Sequence, residues 1–106
     1  MRLSIDRYKV IVADRAMTML GAHIKFLAQA HPDAAWHTKT RLLAAIRSLS
    51  NMPERFPFLD EEFVPRGKYH KLFVDNWYLI LFQIKDAAVF VDYIVDCRQD
   101  YGWLIH

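Results

Sequence analysis

Apolar residues recur along this chain in two rhythms, one near every second position and one near every third or fourth. Tyr8-Lys9-Val10-Ile11-Val12-Ala13 is short and rich in β-branched residues, which predicts a strand. Asp14 then suits an N-cap, because its carboxylate can accept from the unpaired N–H groups of a first helical turn. Beyond it Met17, Leu20, Ile24, Leu27 and Ala28 recur at helical spacing, predicting a helix from about Arg15 to Gln29. His31-Pro32-Asp33 interrupts that pattern and restarts it. Proline is tolerated at the first position of a helix, and Asp33 favours the positive end of its dipole. A second stripe of Ala35, Leu42, Ile46 and Leu49, with Leu43 beside it, ends before Pro53. Two consecutive helices with so short a joint predict a helical hairpin.

The second half changes rhythm. Pro53, Pro57, Pro65 and Gly67, interspersed with Glu54, Asp60, Glu61 and Glu62, read as a loop. Three runs follow, Tyr69 to Val74, Trp77 to Ile84 and Ala88 to Asp96, all rich in aromatic and β-branched residues. Asp75-Asn76 and Lys85-Asp86 separate them with gaps of hairpin length. Trp77 to Phe82 is unbroken apolar sequence, which predicts a central strand covered on both faces. The third run alternates Val89, Val91, Tyr93 and Val95 against Phe90, Asp92, Ile94 and Asp96, so one of its faces is expected to be mixed. The order strand, helix, helix, three-stranded antiparallel meander predicts an α+β fold of two layers, a single domain over residues 1–106. The helical hairpin is expected to pack on one face of the sheet and leave the other face available.

Composition narrows the class. Fifteen aromatic residues and a net charge of +2 exclude a disordered chain, and the single Cys97 excludes a disulfide scaffold. The longest apolar run is six residues, so no membrane span is expected, and the first residues lack the apolar core of a secretory signal. A cytoplasmic protein is the expectation. Charge is uneven: residues 1–53 hold eight basic and three acidic side chains, residues 54–106 six and nine. That asymmetry is compatible with a basic surface for a polyanion and equally with solvated helix faces. No Gly-rich phosphate loop, Cys pair or His-Glu-x-x-His is present, and the five histidines share no ligand spacing. Neither a metal nor a cofactor is expected. Cys97 reads as a small buried hydrophobe rather than a nucleophile.

Two clusters could carry chemistry. Arg66-Gly67-Lys68-Tyr69-His70-Lys71 gathers three permanent cations and an imidazole at the start of a strand. There Lys68 and His70 would share one face and Lys71 the other. The cations would face a phosphodiester, or they would merely blunt a solvated edge strand. The second cluster, Asp96-Cys97-Arg98-Gln99-Asp100-Tyr101-Gly102-Trp103, follows the last strand. Arg98 could clamp a phosphate and Tyr101 could stack on a base or donate a proton, or the segment could be a flap sealing the core.

In element order and in several segments the chain resembles the RelE/ParE superfamily of toxins from type II toxin–antitoxin systems. The matching stretches are Tyr8 to Val12, His31-Pro32-Asp33-Ala34-Ala35, Ala45 to Leu49 running into Met52-Pro53-Glu54-Arg55-Phe56-Pro57, Tyr69 to Phe73, Tyr78 to Ile84, and Asp96 to Tyr101. The resemblance implies a growth inhibitor, neutralised by a small antitoxin that wraps it. It implies, first, a metal-independent, ribosome-dependent mRNA endoribonuclease. His70, Arg98, Tyr101 and Lys68 would be its catalytic residues, with Arg66 and Lys71 binding the phosphate backbone. The alternatives it implies are a ParE-like DNA gyrase poison, engaging its target through Lys25, Lys39, Arg41, Arg47 and the C-terminal flap, or a homologue that mainly binds its antitoxin. A heterocomplex with the antitoxin is expected over a stable homodimer. Val74 and Leu79 stand where RelE-like members often carry a second arginine, and Asp100 where some carry a histidine. His70 is then left to supply the acid or the base.

Overall fold

A computed structural model of the protein describes residues 7–62 and 64–98. The strands are β1 (Lys9–Val12), β2 (His70–Val74), β3 (Tyr78–Lys85) and β4 (Ala88–Asp96), and the helices are α1 (Asp14–Ala30) and α2 (Pro32–Ser48). They form one sheet of order β1-β4-β3-β2, with β1 parallel to β4 and the other pairs antiparallel. The two helices are thus the crossover that carries the chain from one edge of the sheet back across it. The expected two-layer α+β architecture is the one observed.

α1 begins one residue earlier than the sequence pattern predicts. Its N-cap is Ala13, which makes no side-chain cap, and Asp14 is already helical. Its carboxylate therefore acts through the dipole of the first turn rather than as a cap. α2 starts on Pro32, where the missing N–H costs nothing. Ala16, Leu20 and His23 of α1 and Ala35, Thr38, Leu42 and Ile46 of α2 are the buried positions, spaced by three and four. Of these, Ala16, Leu20, Leu42 and Ile46, with Leu49, pack on Tyr78, Ile80, Phe82, Val89, Val91 and Ile94 to make the main core. Leu42, Leu49 and Phe82 are fully buried there, each contributing roughly 1.5–3 kcal/mol by leaving water.

Two details of register depart from expectation. Lys85 pairs with Ala88, so the β3–β4 turn is Asp86-Ala87, with Asp86 at φ 56. The β2–β3 turn holds Asp75 at φ 56 and Asn76 at φ 64, the left-handed pair that primed hairpin turns require. The larger departure is in β4. The ladder shifts between Leu81 and Phe82, where Leu81 pairs with Tyr93 but Phe82 with Val91. Asp92 is therefore the extra residue of a β-bulge. A single inserted residue reverses the alternation that follows. Val89, Val91 and Ile94 all face the helices, while Tyr93 and Val95 face away.

The face turned from the helices is covered, contrary to the expectation of an available face. Leu79, Leu81 and Val95 are buried beneath Leu59 and Tyr69, with Met19, Val64, Tyr93 and Cys97 packed around them. The Pro-rich segment supplies this cover by wrapping the β2 edge. Phe56 packs in the helix-side core and Leu59 in the second one. In between, Lys71 N–H donates to the Pro57 carbonyl at 2.9 Å and Leu59 N–H to the Tyr69 carbonyl at 2.7 Å. A 3-10 turn at Pro53–Arg55 precedes this strap, and Tyr8 donates its hydroxyl to Glu54 across it.

Candidate functional site

The basic run preceding β2 does not lie on one strand face. β2 begins at His70, and Lys68 sits in the turn before it, where its N–H donates to the Pro65 carbonyl at 3.3 Å and Gly67 takes φ 71. Arg66 is exposed and lines a cleft of about 240 Å³ with Phe58, Leu59, Asp60 and Gly67. Lys68 is exposed, its ammonium 5.4 Å from the centre of the Tyr69 ring. Lys71 pairs with Leu81 and so stands on the second face, half-buried.

His70 takes the opposite face. It pairs with Phe82, is 8% exposed, and lies between two rings, Phe58 at 4.1 Å and Phe82 at 5.2 Å. Its Nδ1 is 2.7 Å from the Phe56 carbonyl oxygen and donates to it, since that oxygen can only accept. The imidazole thus holds the strap against the sheet.

Arg98 lies at the other end of β3. Its backbone N–H and its guanidinium both reach the carboxylate of Asp96, with Nε 3.2 Å from Oδ1. One terminal nitrogen donates to the Tyr78 hydroxyl at 3.2 Å, and the guanidinium stacks 4.7 Å from the centre of the Trp77 ring. Asp96 is 2% exposed. Hydrogen bonding to that buried carboxylate holds the Arg98 charge firmly, raising its pKa further. Burial, then the nearby Asp96 charge, pushes the Tyr78 phenol up. Sequence reasoning missed Asp96, Tyr78 and Trp77 as the setting of Arg98. The signal was present in the two-residue spacing of Asp96 and Arg98, an acid that closes β4 and a base in the turn just beyond it. Tyr101 lies outside the described residues.

Because His70 is opposite Phe82 and Arg98 is bonded to Tyr78, the two are separated by four residues of β3, about 13 Å. The structure therefore groups Arg98 with Asp96, Tyr78 and Trp77, and His70 with Phe56, Phe58 and Phe82.

A third polar cluster surrounds the bulge. Asp92 accepts from Gln83 Nε2 at 2.7 Å, while Arg15 donates to its backbone carbonyl at 3.2 Å and stacks 4.1 Å from the Tyr93 ring centre. Tyr69 is pushed up to about 12, first by burial and then by the charge of Asp92. His23 Nε2 donates to the Ile94 carbonyl at 2.7 Å. These side chains of α1 serve the β4 edge where β1 no longer reaches it. Among the described residues no group of three His, Cys, Asp or Glu side chains is placed to hold a metal, and no helix is long and apolar enough to cross a membrane.

The sheet order, the parallel first strand and the crossover hairpin define a two-layer α+β sandwich, the fold that resemblance to RelE/ParE toxins implied. A solved chain from the "Chromosomal ParDE TA system from P. aeruginosa" has this fold, with a TM-score of 0.72 over 86% of this chain and 97% of that one. The two share 15% sequence identity, so the likeness is one of fold. No protein-family model and no curated protein matches the chain.

Proposed function

We propose that this chain is the toxin of a type II toxin–antitoxin pair and that it acts by binding a protein target, DNA gyrase being the first to test. The fold it shares with a chain of a ParDE system supports the toxin reading. One observation carries the mode of action. The guanidinium of Arg98 is already matched by the buried Asp96 carboxylate, while the His70 imidazole is committed to the Phe56 carbonyl on another part of the sheet. Cleavage of RNA needs a base for the 2′-hydroxyl, cations on the phosphate and an acid for the leaving oxygen, all around one phosphodiester. The mRNA endoribonuclease reading would require His70 to leave its slot and Arg98 to exchange Asp96 for a phosphate. Binding a target asks neither.

The test is expression of the chain with and without a candidate small antitoxin from a neighbouring reading frame, followed by two assays on purified protein. The binding reading expects growth arrest relieved by the antitoxin, loss of gyrase supercoiling, and intact message in primer extension on translating ribosomes. Ribosome-dependent cleavage that disappears in Arg98→Ala and His70→Ala would overturn it and restore the nuclease. An arrest with neither signature would remove gyrase as the target.

A further inference from the structure

The strap covers only half of the sheet face turned from the helices. Beyond Leu81 that face carries Gln83, Lys85, Phe90 and Asp92, which line a cleft of about 240 Å³. That is less than a drug-sized ligand needs and suits a molecule the size of one amino acid. Phe90 is half-buried, and Ile11, its register partner on β1, stands 37% exposed beside it. The two side chains make an apolar wall next to charged ones. The Asp92 carboxylate is held by two neutral donors, Gln83 Nε2 at 2.7 Å and the Tyr69 hydroxyl. Arg15 bonds the backbone carbonyl of Asp92 and rests on the Tyr93 ring. Among the described residues neither Asp92 nor Lys85 enters an ion pair. Gln83 touches Asp92, and Lys85 stands two residues further along β3, about 7 Å away. A fixed carboxylate and an ammonium thus line one cleft from opposite ends without meeting.

We infer that this cleft binds a free zwitterion of the amino-acid class with an apolar side chain. Its ammonium donates to Asp92, its carboxylate accepts from Lys85, and its side chain lies on Phe90 and Ile11. Both charges are required, because Lys85 repels a bare cation and Asp92 a bare anion. The two neutral donors matter as much as the charge. They fix the Asp92 carboxylate in place while leaving its charge unmatched, so little order has to be gained on binding. The bulge supplies the position, since Asp92 is the extra residue of β4, and bulges commonly re-aim a side chain beside a site.

The site does not depend on the toxin reading. Isothermal titration calorimetry of the full chain with L-phenylalanine should show one binding site. Phenethylamine lacks the carboxylate and 3-phenylpropionate lacks the ammonium, and each should bind about tenfold more weakly or worse. These three ligands are compared on the wild-type chain, so the result does not hinge on how a variant folds. Asp92→Asn keeps the size of the side chain and should abolish the response to phenylalanine. Lys85→Gln should bring phenylalanine and phenethylamine to equal affinity. Absence of binding overturns the proposal, as does an affinity indifferent to either charge or to either substitution. Preference for a blocked Lys-Glu dipeptide over phenylalanine overturns the free-ligand assignment in favour of a polypeptide partner.

Discussion

At the scale of single residues, burial and hydrogen bonding decide what each titratable group does. Tyr69 is neutral and enclosed, with its pKa raised to about 12. Its contribution to stability is fully present below about pH 10, where the unfolded phenol begins to ionise, and is lost as pH rises through 12. Urea midpoints measured between pH 9 and 12 should fall with this profile, and Tyr69→Phe should flatten part of the decline. Glu54 behaves in the opposite sense. The hydroxyl of Tyr8 stabilises its carboxylate and lowers its pKa, so its contribution is present above the ordinary carboxylate range and lost as pH falls below it. Tyr8→Phe should remove that acid dependence, and the change should be small because the pair is exposed. Little of this was legible in the chain. His70 was readable as one of a basic run, but its face depends on where β2 begins, and a two-residue difference in that start separates it from Lys68. Arg98 was readable as a cation near a carboxylate, whereas the depth of Asp96 was not.

At the scale of elements, the helices and strands follow from pattern because each buries one consistent stripe. Leu42 and Ile46 on α2, and the unbroken apolar β3, pointed to their partners without coordinates. The bulge did not. Nothing in Val91-Asp92-Tyr93-Ile94 announces an extra residue, because the alternation on either side is locally regular and only the pairing with β3 reveals the slip. The same blindness hid the second core, since Leu59 and Val64 lie in sequence that reads as loop. Deletion and substitution at the bulge should therefore both be tolerated, because the ladder on either side of Asp92 is regular without it. Asp92→Ala should leave a folded chain by circular dichroism, weakened through the Gln83 and Tyr69 contacts. Deleting Asp92 makes Val91 and Tyr93 consecutive and restores simple alternation, with Ile94 still towards the helices and Tyr93 away, so the shortened chain should keep a single cooperative transition, lowered by loss of the Arg15 and Gln83 contacts. Phe82→Ala, at the centre of the main core, should cost about 3–5 kcal/mol in the same urea assay.

At the scale of the whole molecule, β3 and β4 belong to both cores at once, Ile80 and Ile94 facing one and Leu81 and Val95 the other. The two faces should therefore melt together. Leu42→Ala and Leu81→Ala should each lower a single calorimetric transition, and two separated transitions would refute that coupling. The parallel seating of β1 beside β4 carries a further consequence. Lys9 to Val12 pair with Ala88 to Val91, so β1 has no strand partner until β4 has been made. A nascent chain must hold this β-branched, apolar segment without its strand partner while the helices and the other strands are made. Closure of the sheet then comes as a late, long-range event, slow by its topology and open to interception while it waits.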